Sequence, residues 1–370
     1  MSKKALILAN SGSGLYDFRG GLITRLKDAG YEVLCSVPDA DAVKELKALG
    51  ARVVRTRINR RGMNPVEDGR LYRGYRALLK KERPDIVLTY TIKPNIYGGY
   101  ACRREGIPYI ATITGLGSVF QGKSHIRRLV TAMYRAALKE SRCLFFQNAE
   151  NRAVFETLAI PSGKTRLVNG SGVDLKRHIA EEYPGHAEEE THFLYVGRLM
   201  KEKGALELLQ ALKRLCKDAP GRAVLTCIGY TEDEDNADTQ KILKLAKEAE
   251  ADKILKRLPY EKDIHPYYAQ ADAVIMPSYH EGMSNVLMEA CATARPVLAS
   301  DISGCREIVE DGVNGFLFPA RDTEALLQAM RKFLALPVAE RRMMGRAGRR
   351  KMEAQFDREQ IMDAYMEEIL

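Results

Sequence analysis

The chain has 370 residues, 45% of them apolar, and a formal net charge of +9. That length exceeds one compact core and fits two domains, and the composition excludes a disordered or low-complexity chain. No apolar run approaches the roughly 18 residues that cross a bilayer, and the seven scattered cysteines contain no C-x-x-C pair, which excludes a disulfide framework or a zinc site.

The first apolar run, 4–9, stops at Asn10 and enters a glycine-rich turn. It is too short for a signal peptide and reads as a buried strand, which places the chain in the cytoplasm. A helix follows over 19–29, then a strand over 32–37, a helix over 41–49 and a strand over 52–57. Asn64-Pro65 is an N-cap followed by a first-turn proline, starting a helix that runs to about Lys81. Strands over 84–89, 109–112 and 143–147 alternate with helices over 95–104, 125–140 and 149–157. The apolar period lapses over 175–191, the expected linker. A second series then has strands over 193–196, 223–228, 254–258, 273–276, 297–300 and 316–318. Helices over 205–217, 238–250, 264–270, 284–293 and 323–334 separate most of them. Such alternation predicts two doubly wound α/β domains, over 1–174 and 192–351, each with a parallel sheet, facing a central cleft. The tail is helical, and its last part, 352–370, is expected to pack back on the first domain.

Charge is uneven. Residues 1–174 hold 30 Lys/Arg against 15 Asp/Glu, and residues 175–370 hold 28 against 34. The densest stretch, 52–83, has eleven basic and three acidic residues. A basic first half attracts phosphate-rich partners. No aromatic-basic recognition motif accompanies it, so nucleic acid is not expected, and peripheral contact with an anionic membrane is. Asp233-Glu234-Asp235 reads as a solvated acidic turn rather than a metal motif.

Five stretches point to chemistry. Tyr279-His280-Glu281-Gly282-Met283-Ser284-Asn285 follows a strand and opens a helix that continues to Glu289. Gly282 permits close backbone approach, and the N–H groups of Met283, Ser284 and Asn285 are expected to form an anion site at the helix start. Glu289 lies eight residues after Glu281, about two helical turns, so both carboxylates are expected on one face. Val196-Gly197-Arg198…Lys203-Gly204 links a strand to a helix, and Arg198 and Lys203 are placed to neutralise a diphosphate. In the first half, 10–19 (with Gly14, Tyr16 and Arg19), 89–98 (with Lys93) and 113–118 (with Thr114 and Gly115) all follow strands and belong at the cleft. Of the six histidines, only His280 adjoins a motif.

With Glu281-x7-Glu289 and the Gly-Arg…Lys-Gly segment, the chain resembles glycosyltransferase family 4 along essentially its whole length. Segments 300–309 and 311–315 are also typical of that family. The resemblance implies the GT-B fold and a retaining, metal-independent hexosyl transfer with no cofactor beyond a UDP-sugar donor. It implies that Arg198 and Lys203 hold the donor diphosphate, Glu281 the sugar and Glu289 the ribose, with Leu258 and Tyr260 framing the base. Where many members have a histidine, this chain has Thr114-Gly115. The first half is similar to bacterial enzymes extending polyprenyl-diphosphate-linked sugars with N-acetylgalactosamine or galactose. Other two-domain α/β readings are a UDP-sugar 2-epimerase, whose acid/base groups are not evident, and a nicotinamide dehydrogenase. The latter is weakened because Gly12-x-Gly14 lacks the rest of the dinucleotide fingerprint.

Overall fold

In the computed structural model the described residues are 2–60, 62, 64–116, 120, 125–160, 163–184, 190–231 and 236–370. Gly117, Ser118 and the Asp233-Glu234-Asp235 turn lie outside them. The chain divides into two compact units, one of residues 1–171 with 359–370 and the other of residues 172–358.

The first unit runs β1 (Lys4–Leu8), α1 (Gly12–Asp28), β2 (Glu32–Val37), α2 (Val43–Ala48), β3 (Arg52–Arg55), α3 (Pro65–Glu82) and β4 (Ile86–Tyr90). It continues through α4 (Gly99–Glu105), β5 (Tyr109–Ile113), α5 (His125–Leu138), β6 (Cys143–Phe146), α6 (Ala149–Thr157) and β7 (Lys164–Leu167). Its seven strands are ordered β3-β2-β1-β4-β5-β6-β7, and the pairings are parallel throughout. Central strands such as β4 and β5 are buried along their whole length, as expected where helices cover both faces of a parallel sheet.

The second unit runs β8 (Thr191–Val196), α7 (Ala205–Asp218), β9 (Ala223–Ile228), α8 (Ala237–Ala251), β10 (Leu255–Leu258), α9 (His265–Gln270) and β11 (Ala273–Met276). Next come α10 (Asn285–Ala292), β12 (Val297–Ser300), β13 (Gly315–Phe318), α11 (Thr323–Ala335) and α12 (Val338–Lys351). Its sheet has the order β10-β9-β8-β11-β12-β13, again all parallel. In both sheets the order reverses beside the first strand, between β1 and β4 and between β8 and β11. Outside the carboxyl ends of such strands lies the crevice where open α/β sheets bind ligands.

Three sequence expectations change. Helix α1 starts at Gly12, not at 19, because Ser11 caps it: the Ser11 hydroxyl accepts from the Gly14 N–H at 3.2 Å. Strand β7 was not expected; its Lys-Thr-Arg-Leu sequence is short and half cationic. The expected linker is not loose, since residues 172–184 pack on the second unit. Buried Arg295 holds them, donating to the carbonyls of Glu181 and Glu182 as well as those of Tyr268 and Ala269. A fully buried guanidinium is tolerated only when its donors are met in this way.

The last helix, α13 (Arg358–Ile369), belongs from Glu359 onward to the first unit. Ile361, Met362, Tyr365 and Ile369 join that unit's core. The Tyr365 ring stacks on Phe145 with centroids 4.1 Å apart, and its hydroxyl meets the Thr112 hydroxyl at 2.9 Å. Burial alone would raise the Glu368 carboxyl, but Lys164 at 2.7 Å and Arg166 at 3.0 Å outweigh it and hold the group below its ordinary value. Those two cations belong to β7, so α13 anchors the edge strand. Tyr365→Ala is expected to destabilise the first unit by about 3–5 kcal/mol, and Tyr365→Phe by about 1 kcal/mol through the lost hydroxyl contact. Urea unfolding of the full chain checks both; an unchanged midpoint for Tyr365→Ala would show that α13 does not complete this core.

Candidate functional site

In the second unit, the loops that leave β8 and β11 meet. The β8 loop makes a short 3-10 turn, Lys201–Lys203, closed by Gly204 at φ +68°. A Cβ on Gly204 would lie 2.0 Å from the Pro277 carbonyl oxygen, so only glycine allows the loops to touch. The Tyr279 N–H donates to the Glu202 carbonyl at 2.9 Å. Beside this seam Lys203 Nζ donates to Glu281 Oε1 at 2.6 Å, with the side chains 24% and 14% exposed. Such partial burial strengthens the pair relative to a surface one.

Arg198 opens the same β8 loop. The fully buried Tyr195 hydroxyl donates to the Arg198 carbonyl at 2.7 Å. Burial pushes its ionisation well up, nearby Glu281 pushes further, and Arg198 opposes. Lys203 and Glu281 are thus in direct contact, as their positions after two adjacent strands allow, and the charges of Glu281 and Arg198 both act on Tyr195. The loop after β12 supports the other side. Gly304 sits at φ +86°, and a Cβ there would come within 2.8 Å of the Glu281 carbonyl oxygen. The Gly304 N–H is held by Glu307 Oε2 at 2.6 Å.

The helix start differs from the sequence expectation. Ser284 is the N-cap of α10, its hydroxyl accepting from the Leu287 N–H at 3.3 Å. Its own N–H is not open to an anion, because it donates to the Gly304 carbonyl at 3.0 Å. Met283 is packed into the core, while Asn285 is the first helical residue. Glu281 and Gly282 precede the helix, so Glu281 and Glu289 do not share a helix face. Leu258 ends β10 with its carbonyl accepting from the Gly229 N–H at 3.1 Å, and Tyr260 beyond it is 65% exposed.

Glu289 has a setting that the sequence did not indicate. The buried Tyr268 hydroxyl donates to Glu289 Oε2 at 3.0 Å, and His178 Nε2 stands 4.0 Å from Glu289 Oε1. The His178 ring also lies 5.9 Å from that of His265, between centroids. His280, the histidine adjoining the motif, is exposed instead. Nothing in sequence spacing relates His178 to Glu289; the packed segment 172–184 brings them together.

The first unit repeats the arrangement at β1 and β4, with different outcomes. Gly14 is in the first turn of α1, its N–H taken by Ser11, and Gly12 donates to Asp39 Oδ1 at 3.0 Å. An aspartate therefore already occupies this helix start, and Gly14 does not offer a phosphate cradle. Arg19, expected on the acceptor side, is 6% exposed and lies over the rings of Tyr90 and Tyr365, 4.9 and 5.4 Å from their centroids. Tyr16, Thr114 and Gly115 are half-buried. Lys93 pairs with Asp68 at 2.6 Å, both side chains 14% exposed. Between β4 and Lys93, Thr91 has φ +73°, an unfavourable setting for a β-branched residue, and its buried hydroxyl finds no partner among the described residues. A π-helical turn, Pro94–Gly98, follows.

Burial, with the charge of Arg177 acting the same way, pushes His178 down to about 4, so it is neutral at pH 7. The unfolded chain binds this proton near pH 6.5. The resulting stability is present in full above pH 6.5 and is lost as pH falls towards 4, of the order of 2–3 kcal/mol. Urea midpoints between pH 7 and 4.5 are expected to fall less steeply in His178→Gln than in the parent; parallel curves would assign the acid loss to other groups.

Two family models and several solved structures match the chain. Residues 4–148 match the family model "Glycosyl transferase 4-like" and residues 177–351 match "Glycosyl transferases group 1". The chain is 24% identical over 338 residues, 86% of each protein, to an N,N'-diacetylbacillosaminyl-diphospho-undecaprenol alpha-1,3-N-acetylgalactosaminyltransferase of Campylobacter jejuni. It is 27% identical over 273 residues, 68% of this chain and 67% of the relative, to a UDP-Gal:alpha-D-GlcNAc-diphosphoundecaprenol alpha-1,3-galactosyltransferase of Escherichia coli. Its fold matches sucrose-phosphate synthase from Thermosynechococcus elongatus, with TM-score 0.80 at 22% identity over 99% of this chain and 98% of that one. It also matches Anabaena HepE in complex with UDP-glucose, with TM-score 0.81 at 17% identity over 99% of both. The fold is GT-B, and the chain belongs to the glycosyltransferases, its first half to the 4-like family and its second half to group 1.

Proposed function

We propose that the protein is a retaining hexosyltransferase that moves N-acetylgalactosamine, galactose or a related hexose from a UDP-sugar to a polyprenyl-diphosphate-linked saccharide. The observation that supports this most directly is the Lys203–Glu281 pair where the sheet order reverses, with Arg198 on the same loop as Lys203. A lysine has three N–H donors; one goes to Glu281, and the others suit donor phosphate oxygens. Arg198 adds a second positive group, so negative charge that develops on the leaving diphosphate meets fixed cations. Glu281, oriented by Lys203, retains acceptor positions for sugar hydroxyls. Glu289, held by Tyr268, suits ribose hydroxyls, with Leu258 and Tyr260 towards the base. In this reading Arg198 and Lys203 do the work of a metal, and the acceptor hydroxyl attacks on the face the diphosphate leaves.

The acceptor class rests on the Campylobacter and Escherichia relatives, whose names specify undecaprenol-diphosphate-linked acceptors. On the first unit Tyr16, Lys93, Thr114 and Gly115 remain the acceptor-side residues of this proposal, with strained Thr91 added. Peripheral membrane contact fits a further feature. A cavity of about 770 Å³ between β3 and α3 is lined by Arg55, Arg57, Arg70 and Lys81. None of the four has an ion-pair partner among the described residues, whereas the neighbouring Asp68 is neutralised by Lys93. No helix among the described residues is long and apolar enough to cross a membrane.

The test is a UDP-sugar screen against a lipid-linked monosaccharide, with the anomeric linkage read by NMR and activity measured with and without EDTA. An α-linked product insensitive to EDTA is expected; a β-linked product would end the retaining assignment, and loss of turnover in EDTA the metal-free one. Lys203→Ala and Glu281→Ala are each expected to lower kcat about 10²–10³-fold with unchanged unfolding midpoints. Parent-like rates in a folded variant would remove that residue from the mechanism. In flotation at low salt the protein is expected to rise with anionic vesicles, and protein left at the bottom of the gradient would rule out the membrane contact.

A further inference from the structure

Helix α12 holds a cluster that donor binding does not use. Arg342, Arg346 and Arg350 recur at four-residue spacing and stand in one exposed row. Like charges at that spacing repel and weaken a helix. Other arginines of the unit meet carboxylates, such as Arg257 with Glu250, Arg306 with Asp301 and Arg349 with Glu353. None of the three in the row makes an ion pair or hydrogen bond to a described residue.

The row borders a cavity of about 340 Å³ whose opposite wall is the segment Ala180–Tyr183. The acceptors on that wall are largely engaged. Glu181 Oε1 is 2.9 Å from His265 Nε2, and Arg295 takes the carbonyls of Glu181 and Glu182. Exposed Glu182 lines the same cavity. The cavity thus has an excess of about two positive charges, forked donors matched to phosphate oxygens, and room for a small phosphorylated molecule.

We propose that this cavity is a binding site for a phosphate monoester dianion, separate from the donor diphosphate group at Arg198 and Lys203. Phosphate binding here removes the repulsion within the row and supplies acceptors to guanidinium groups that have no ion-pair partner among the described residues. The chemistry is shared by a free phosphate ester and by the headgroup of a monoester phospholipid.

Calorimetry of the full chain with inorganic phosphate, in buffer free of nucleotide sugar, tests the site. Saturable binding is expected. It is expected to weaken at least about a hundredfold in Arg342→Gln/Arg346→Gln/Arg350→Gln, since each charge-assisted contact is typically worth about tenfold. Arg198→Gln/Lys203→Gln is expected to retain it. The substituted arginines are exposed, so an unfolding midpoint at or above that of the parent without phosphate confirms that the triple variant is folded. Absence of binding in the parent, or binding lost only in Arg198→Gln/Lys203→Gln, overturns the proposal. Flotation with phosphatidic-acid vesicles separates the sources. Recruitment that the triple variant loses and inorganic phosphate displaces identifies a lipid headgroup, and phosphate binding with recruitment that the triple variant keeps, or with no recruitment, identifies a free ester. The readout requires no sugar transfer, so it stands or falls independently of the proposed activity.

Discussion

Parallel pairing is the constraint on which the rest of the molecule depends. When neighbouring strands run the same way, every loop leaving a carboxyl end emerges on one edge of the sheet. In the second unit that edge receives the loops after β8, β11 and β12, separated by many residues in sequence. Lys203 and Glu281 are 78 residues apart yet 2.6 Å in space because their strands flank the point where the order reverses. Glycine then permits the final approach: Gly204 against Pro277 and Gly304 against Glu281 leave no room for a side chain. The same order in the first unit brings together the loops after β1 and β4, where strain concentrates at Thr91.

A second theme is the treatment of charge away from water. Arg295 is fully buried and gives its donors to backbone carbonyls, fixing a segment with no apolar pattern of its own. Arg341, 3% exposed, does the same with the carbonyls of Leu334 and Leu336 and the Thr191 hydroxyl. These arginines act as staples. Lys203 and Glu281 differ in being partly open to solvent, and a half-exposed pair can exchange partners at a modest cost that a buried staple cannot meet. The contrast separates cations that hold the fold from those suited to hold a ligand.

Most strands were legible because the interior of a parallel sheet demands unbroken apolar runs, such as Ile86–Tyr90 and Val297–Ser300. Arg198, Lys203 and Glu281 were legible because each sits one short loop beyond such a run. What sequence did not reveal rests on other physics. A capping serine moved the start of α1 back over two glycines. Strand β7 owes its place to β6 and to Glu368, far along the chain. Carbonyl capture by Arg295 turned an apparent linker into wall, and with it came His178 behind Glu289. The Ser284 amide, expected to greet an anion, was already engaged by a local partner, the Gly304 carbonyl. No periodicity records such bonds.

The return of α13 to the first unit has a consequence for biosynthesis. Ribosomes add about 5–20 residues per second, and early domains generally fold as they emerge. Here the groove that takes Ile361, Met362 and Tyr365 stays open until the whole second unit has been made. The nascent first unit must wait with an aromatic slot uncovered beside Phe145. During that interval it is a natural client for chaperones, and fusing a bulky partner after Leu370 burdens the folding of the opposite end of the chain.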